Sequence, residues 1–150
     1  MKKNNQTKQI INRRANFDYF LDNEIIVGLV LTGAETKAAR NGNVQLKGSY
    51  VTINKDELWL INASFSVKNS DDGNKKTVDT RNRKLLAHRK QIDKLIELKK
   101  RGLTIIPTKI LTGGRYIKLV IATGRGKKKY DKREVIKKRD IDRENQRLLK

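Results

Sequence analysis

The chain has 150 residues, no cysteine, one proline and one histidine. Without cysteine there is no disulfide framework and no thiolate for zinc or for catalysis. With His88 as the single histidine, a histidine-rich metal site is excluded as well, so no metal or other cofactor is expected. Long apolar runs are also missing. None approaches the roughly 18 to 20 residues that a membrane span needs, and the polar, basic start (Lys2, Lys3, Asn4, Asn5, Gln6) lacks a signal peptide's apolar stretch. A cytoplasmic protein with no membrane partner is the expectation. Acid is scarce too: 16 Asp and Glu stand against 36 Lys and Arg, a formal charge of +20. Such a chain repels itself, and a polyanion is its natural partner because each cation placed at a phosphate releases condensed counterions. The length fits one domain with a genuine core.

The segments differ in character. Met1 to Arg14 carries Lys2, Lys3, Lys8, Arg13 and Arg14 and no acid, with few apolar residues, so residues 1–11 are expected to form a mobile basic arm. EIIVGLVL (Glu24 to Leu31) predicts a buried strand. Thr32 then predicts a cap and Ala34 to Arg40 a short helix ended by Asn41-Gly42. Ser49 to Ile53 and Glu57 to Phe65 predict strands joined at Asn54-Lys55-Asp56, with Leu58, Leu60 and Ala63 facing one way. Lys68 to Lys76 predicts an exposed loop. Asp79 or Thr80 is expected to cap a basic helix whose apolar face is Leu85, Leu86, Ile92, Leu95, Ile96 and Leu98, stopped at Gly102. Strands follow at Leu103 to Leu111 and Tyr116 to Thr123. Pro107 cannot donate to a ladder, so its strand is expected at an edge or bulged.

Residues 124–150 hold 12 basic and 5 acidic residues, and their apolar residues are too sparse for a core. Glu134–Lys138 and Glu144–Arg147 have helix-supporting spacing. This tail predicts a conditional helix, disordered alone and helical when its charges meet RNA. Residues 12–123 then form the folded unit: five or six turn-connected strands with short helices, mainly β, which suggests a small antiparallel barrel of the OB type.

A run of Lys and Arg alone is a solvated face, but here both termini and one helix are basic together, which points to RNA. Arg81, Arg83, Lys84, Arg89 and Lys90 gather cations near one helix start, where the macrodipole disfavours them unless a phosphate is close. His88 is either a partly exposed or core-edge histidine or a stacking or hydrogen-bonding contact to RNA. Asp71-Asp72 and Asp140/Asp142 could be imagined as magnesium ligands of a nuclease, yet both pairs lie in polar segments without a rigid shell. Gly113-Gly114 and Gly124/Gly126 lack the setting of a phosphate-binding loop. Tyr130 lies among Lys127, Lys128, Lys129, Lys132 and Arg133 with almost no apolar neighbours, a setting in which a ring stacks on a base while cations hold phosphates. Trp59 and Tyr50, inside strands, are expected in the core.

Several strings together resemble the SsrA-binding protein (small protein B) family of bacteria: NRRANFDYFL at Asn12 to Leu21, GLVLTGAETKAARNG at Gly28 to Gly42, LKGSYVTI at Leu46 to Ile53, RNRKLLAHRKQIDKLI at Arg81 to Ile96 and GRGKKKYDKREVIKKRD at Gly124 to Asp140. They occur in the family's order and span nearly the whole chain. The resemblance implies an OB-like barrel that binds transfer-messenger RNA at its tRNA-like domain and carries it to stalled ribosomes, with no enzymatic activity. It also implies a tail that enters the empty messenger channel at the small-subunit decoding centre and folds there as a helix. By match to the family's strings, Asn12 and Leu86 contact the RNA or shape its surface. Arg13, Arg14, Lys37, Arg40, Arg83, Lys84 and His88 join them as RNA-binding residues. Tyr130 takes the place of a stacking aromatic or histidine, with Asp131, Lys132 and Arg133 completing the element; Lys127, Lys128, Lys137, Lys138 and Arg139 are the tail's further ribosome contacts. One departure stands out: Ile26 and Val27 occupy positions where the family usually has an acidic and a small residue. The free protein is expected to be a monomer. The competing reading is a general single-stranded RNA-binding or ribosomal protein on a similar barrel. An RNA-cleaving enzyme lacks a paired acid and base.

Overall fold

A computed structural model describes residues 8–68 and 76–149. In chain order it contains β1 (Gln9–Ile11), α1 (Arg13–Asp18), β2 (Tyr19–Leu29), α2 (Gly33–Arg40), β3 (Val44–Gln45), β4 (Tyr50–Asn54) and β5 (Glu57–Ile61). There follow β6 (Ser64–Lys68), β7 (Lys76–Asp79), β8 (Arg83–Leu86), α3 (Arg89–Lys100), β9 (Thr104–Leu111), β10 (Lys118–Gly126) and α4 (Lys129–Leu148). Strands β9, β10, β2, β8, β5 and β4 pair in that order. Val51 of β4 then lies opposite Ile105 of β9, which closes the ring. All these pairings are antiparallel. The small antiparallel barrel expected from the sequence is therefore present, and β3, β6 and β7 form a second, three-stranded sheet beside it.

The barrel interior is aliphatic: Val27, Leu29, Val51, Leu58, Leu60, Leu85, Ile105, Ile110, Leu119 and Ile121 share one cluster, which Leu95 of α3 joins. Leu58, Leu60 and Ala63 are fully buried, as their spacing predicts. Burial of one such leucine side chain contributes about 1.5 to 3 kcal/mol. The β4–β5 turn uses Lys55 and Asp56, both with positive φ (49° and 60°), the two-residue turn whose twist matches the strands. Thr32 and Glu35 cap α2 reciprocally: the Thr32 amide donates to Glu35 Oε2 at 2.9 Å and the Glu35 amide to Thr32 Oγ1 at 3.3 Å.

Several expectations are corrected. Glu24 to Leu31 is not buried on both faces: the strand starts at Tyr19 and Ile26 and Val30 are exposed, because only one side of a barrel wall meets the core. Glu57 to Phe65 breaks at Asn62, whose left-handed backbone (φ 61°) sends Ser64–Lys68 into the second sheet. Asp79 and Thr80 do not cap a helix. Residues 83–86 form β8 between β2 and β5, and the helix begins at Arg89. Backbone pairing with two neighbours and burial of Leu85 override a local pattern that fits either element. Pro107 is buried rather than at an edge, and the alternative of a bulge is the one realised. The ladder passes from Lys109 opposite Val120 to Pro107 opposite Ile121, so Thr108 is the extra residue. Tyr50 is exposed and Trp59 half-buried, since both face away from the barrel interior.

The segment bounds shift as well. Gln9 to Ile11 pair with β9, and the Thr112 amide and hydroxyl both donate to Lys8 O at 2.8 Å, so the last part of the basic arm is tied down. Residues 1–7 lie outside the described residues, as do 69–75 of the expected loop with Asp71-Asp72. At the other end β10 runs on to Gly126. Gly124 belongs to the barrel because a Cβ there would stand 3.0 Å from Leu21 Cδ2 and 3.1 Å from Tyr19 Cβ.

Candidate nucleic-acid interface

The cations found in the sequence separate into three groups once folded. The first is internal. Arg83 is fully buried: its Nε donates to Glu35 Oε1 at 3.0 Å, Nη1 to Ala63 O at 3.1 Å and Arg81 O at 2.7 Å, and Nη2 to Asp79 O at 3.1 Å. Its Cζ lies 4.0 Å from the Phe65 ring centroid. Arg81 grips the same carboxylate, with Nε at 2.8 Å from Oε1 and Nη2 at 2.7 Å from Oε2. Burial pushes the Glu35 carboxyl up, but the Arg81 hydrogen bonds, the Thr32 amide and the two arginine charges outweigh it, so its pKa falls below the usual value. Burial pulls the Arg83 guanidinium down, only partly offset by Glu35. Arg83 thus stands inside the fold, with its guanidinium committed to internal acceptors rather than presented at the surface where it was expected. A strand, not a helix, carries it, and strand alternation points it inward.

Asn12 is also turned in. Its amide donates to Thr108 O at 2.7 Å and its Nδ2 to Pro107 O at 2.8 Å, fastening the chain to the β9 bulge. Its Oδ1 has no hydrogen-bond partner among the described residues. Asn12, Arg13, Arg14 and Lys47 border a cavity of about 360 Å³.

The second group is a surface. Leu86, 56% exposed, and Ile26, 55% exposed, line a cavity of about 310 Å³ with Gly28, His88, Gln91 and Lys118. Gly28 faces Leu86 across the ladder, and a Cβ there would approach Leu86 Cβ to 3.2 Å. His88 is exposed at the start of α3, where its amide donates to Gln91 Oε1 at 3.0 Å. Lys84 points outward on β8 and pairs with Glu57 at 2.7 Å. That pair is half-exposed and worth at most about 1 kcal/mol. Lys37 is exposed on α2, whereas the Arg40 guanidinium is committed to the carbonyls of Thr112, Gly114 and Arg115.

The third group surrounds the root of α4. The Lys127 amide donates to Asp18 O at 2.8 Å and its Nζ to Asn16 O at 2.9 Å. Lys132 Nζ lies 3.1 Å from Asp18 Oδ1, and Arg14 Nε 3.0 Å from Oδ2. Arg14, Lys132 and Arg139 stand 5.1, 6.0 and 5.7 Å from the Phe17 ring centroid. The Lys128 amide donates to Asp131 Oδ2 at 3.0 Å, which makes Asp131 a helix cap. Tyr130 is 60% exposed, and Arg133, Lys137 and Lys138 are exposed along a helix with no buried residue.

The sequence reading missed Lys118, Glu57, Asp18 and the exposed aromatics Phe20 and Tyr116. The string RYIK at Arg115 to Lys118, two cations around an aromatic without an acid, was the available signal. Among the described residues no group of three or more His, Asp or Glu could hold a metal ion, and no helix is long and apolar enough to cross a membrane.

Comparison with known proteins agrees with this architecture. A chain named SsrA-binding protein from Lysinibacillus sphaericus (strain C3-41) is 45% identical over 141 residues, covering 93% of this chain and 90% of that one. One of the same name from Enterococcus faecalis (strain ATCC 700802 / V583) is 43% identical over 141 residues, covering 93% and 90%. A chain in the solved structure described as "tmRNA-SmpB: a journey to the center of the bacterial ribosome" superposes with a TM-score of 0.66 at 33% identity, covering 85% of this chain and 94% of that chain. The family model described as SmpB protein matches residues 9–150, and the chain belongs to that family.

Proposed function

We propose that the protein is a non-enzymatic adaptor. It binds the tRNA-like domain of transfer-messenger RNA through its barrel and delivers it to ribosomes stalled on messages without a stop codon, where the tail reads the empty messenger channel. The observation that carries the reading is the face formed by Leu86 and Ile26 with His88 and Lys118 beside them, and Lys84 two residues before Leu86 on β8. An exposed apolar centre with lysines at its edge suits a folded RNA, whose bases pack on the apolar part while phosphates meet the rim. Ile26 there replaces an acidic residue usual in the family, so this chain holds the RNA at that point by packing rather than by a carboxylate. Arg13, Arg14 and Lys37 extend the basic surface, and Asn12 shapes it from beneath. Tyr130 stacks in the decoding centre while Lys127, Lys128, Lys132, Arg133, Lys137, Lys138 and Arg139 follow the channel's phosphates. In the free chain Lys127, Lys132 and Arg139 rest on α1, so engagement exchanges those contacts for RNA.

The exposed rings of Phe20, Tyr50 and Tyr116 favour a second reading, a general single-stranded RNA binder, because such proteins use aromatic platforms. Sequencing the RNA that co-purifies with the full chain separates the two. Enrichment of transfer-messenger RNA, together with peptide tagging in a reconstituted stalled system, supports the adaptor. A broad population of unrelated RNAs and no tagging overturns it.

A further inference from the structure

The connection between β9 and β10 is braced in an unusual way. Arg40 reaches from the last turn of α2 and donates Nη1 to Thr112 O and Gly114 O, both at 3.1 Å, and Nη2 to Arg115 O at 2.9 Å. One planar guanidinium thereby fixes a loop that contains Gly113 and Gly114, residues that otherwise leave a backbone loose. The loop presents Tyr116, 69% exposed, with the Arg115 Cζ 5.4 Å from its ring centroid. Tyr116 and Lys118 are exposed while Ile117 and Leu119 are buried. Tyr116 ends the bend that leads into β10, two residues before Lys118 at the start of that strand. Lys118 in turn borders the cavity of Ile26, Leu86 and His88. No acidic residue occurs between Thr112 and Val120.

We propose that Tyr116 is a base-stacking site for an unpaired nucleotide of the RNA bound on the adjoining Leu86 face, with Arg115 and Lys118 taking the flanking phosphates. Arg40 is its positioning residue and touches no RNA. The inference rests on the RNA-binding reading above. Its physical basis is that bases splayed from RNA loops stack on exposed rings. A tyrosine on a braced loop has little freedom to lose on binding, and an arginine over one ring face leaves the other for a base.

The test uses the full chain and a transcript of the tRNA-like domain, with 2-aminopurine at candidate loop positions. Tyr116→Ala is expected to weaken binding on the order of ten-fold, in the range of a missing base–aromatic stack, with the salt slope unchanged because no charge is removed. Tyr116→Trp is expected to bind at least as tightly as the parent and to quench one 2-aminopurine position. Arg40→Lys keeps the cation but loses the fork, so it is expected to weaken binding as Tyr116→Ala does, and the double variant to lose little more. Parental affinity in Tyr116→Ala, or Tyr116→Trp as weak as Tyr116→Ala, overturns the proposal. If Leu86→Ala and Lys118→Glu weaken binding while Tyr116→Ala does not, only the stacking site falls. If the parent does not prefer the tRNA-like transcript to unrelated RNA, the adaptor reading falls, and the Tyr116 variants still decide whether the ring stacks.

Discussion

Arg83 Nη2 lies 2.9 Å from Glu35 Oε1, and both side chains are buried. This pair joins the cap of α2 to β8, with Arg81 closing the carboxylate from outside. Glu35→Gln keeps the shape but strips Arg83 of its buried counter-charge, leaving it, among the described residues, only Asp79 at 3.8 Å, and breaking a buried pair costs about 3 to 5 kcal/mol. Urea or thermal melts should record that loss; a melt within about 0.5 kcal/mol of the parent, the range of an ordinary surface change, would contradict it. The pair also sets an acid limit. The Glu35 carboxyl sits below its ordinary value of 4.5, so the unfolded chain takes up the proton first. Its stabilisation is complete above about pH 4.5 and is lost as pH falls through the lower folded value. The difference between parent and Glu35→Gln should narrow across that window.

RNA affinity should separate the buried cation from the exposed ones. Lys84→Glu and Lys118→Glu, on the surface, are expected to weaken binding to the tRNA-like transcript and to lower its salt slope by about 0.7 to 0.9 for each phosphate left without its cation. Arg83→Glu is expected to unfold the protein instead. Filter binding at several salt concentrations, with circular dichroism of each variant, checks both. An unchanged slope for Lys84→Glu and Lys118→Glu together would remove them from the interface.

Docking and decoding should divide between barrel and tail. Tyr130→Ala removes an exposed ring but no barrel cation, so binding to isolated transfer-messenger RNA should be almost unaffected while tagging on stalled ribosomes falls several-fold, consistent with about 1 to 3 kcal/mol per stack. Paired measurements of the two activities decide. Equal loss in both, or in neither, would end the division of labour.

The tail root should be loosened by Asp18→Asn. That change takes the Lys132 ion pair from the first turns of α4. Such half-exposed pairs contribute at most about 1 kcal/mol, so amide exchange of residues 129–136 should quicken by no more than about five-fold. Exchange beyond Ile141 should be fast in both forms, since α4 has no buried residue. Strong protection there in the parent would contradict the proposal that the outer part of the tail is held firmly only on the ribosome.

The errors in reading the chain share one cause. RKLL at Arg83 to Leu86 is short, and a short apolar run fits helix or strand equally; β2 and β5 made it a strand. The same event buried Arg83, which local composition had placed among the RNA-binding cations. Arg40 was placed with the RNA-binding residues by its match to the family's string, yet the acceptors of its guanidinium lie 72 to 75 residues away, a distance at which a local string says nothing. Tyr50 was assigned to the core because it lies in a strand; period-two alternation leaves the face open until a partner sheet chooses it.

What the amino-acid sequence determined by itself was everything carried by local rules and by sums. The +20 charge calls for a polyanion, Thr32 caps α2, Asn54-Lys55-Asp56 turns a hairpin, and the ordered strings from Asn12 to Asp140 mark the family. The tertiary structure alone decided which cations face water. Desolvation and pairing depend on groups brought together from distant segments, and only closure of the barrel turns Arg83 into its wall while leaving Lys84, Leu86 and Tyr116 on its surface.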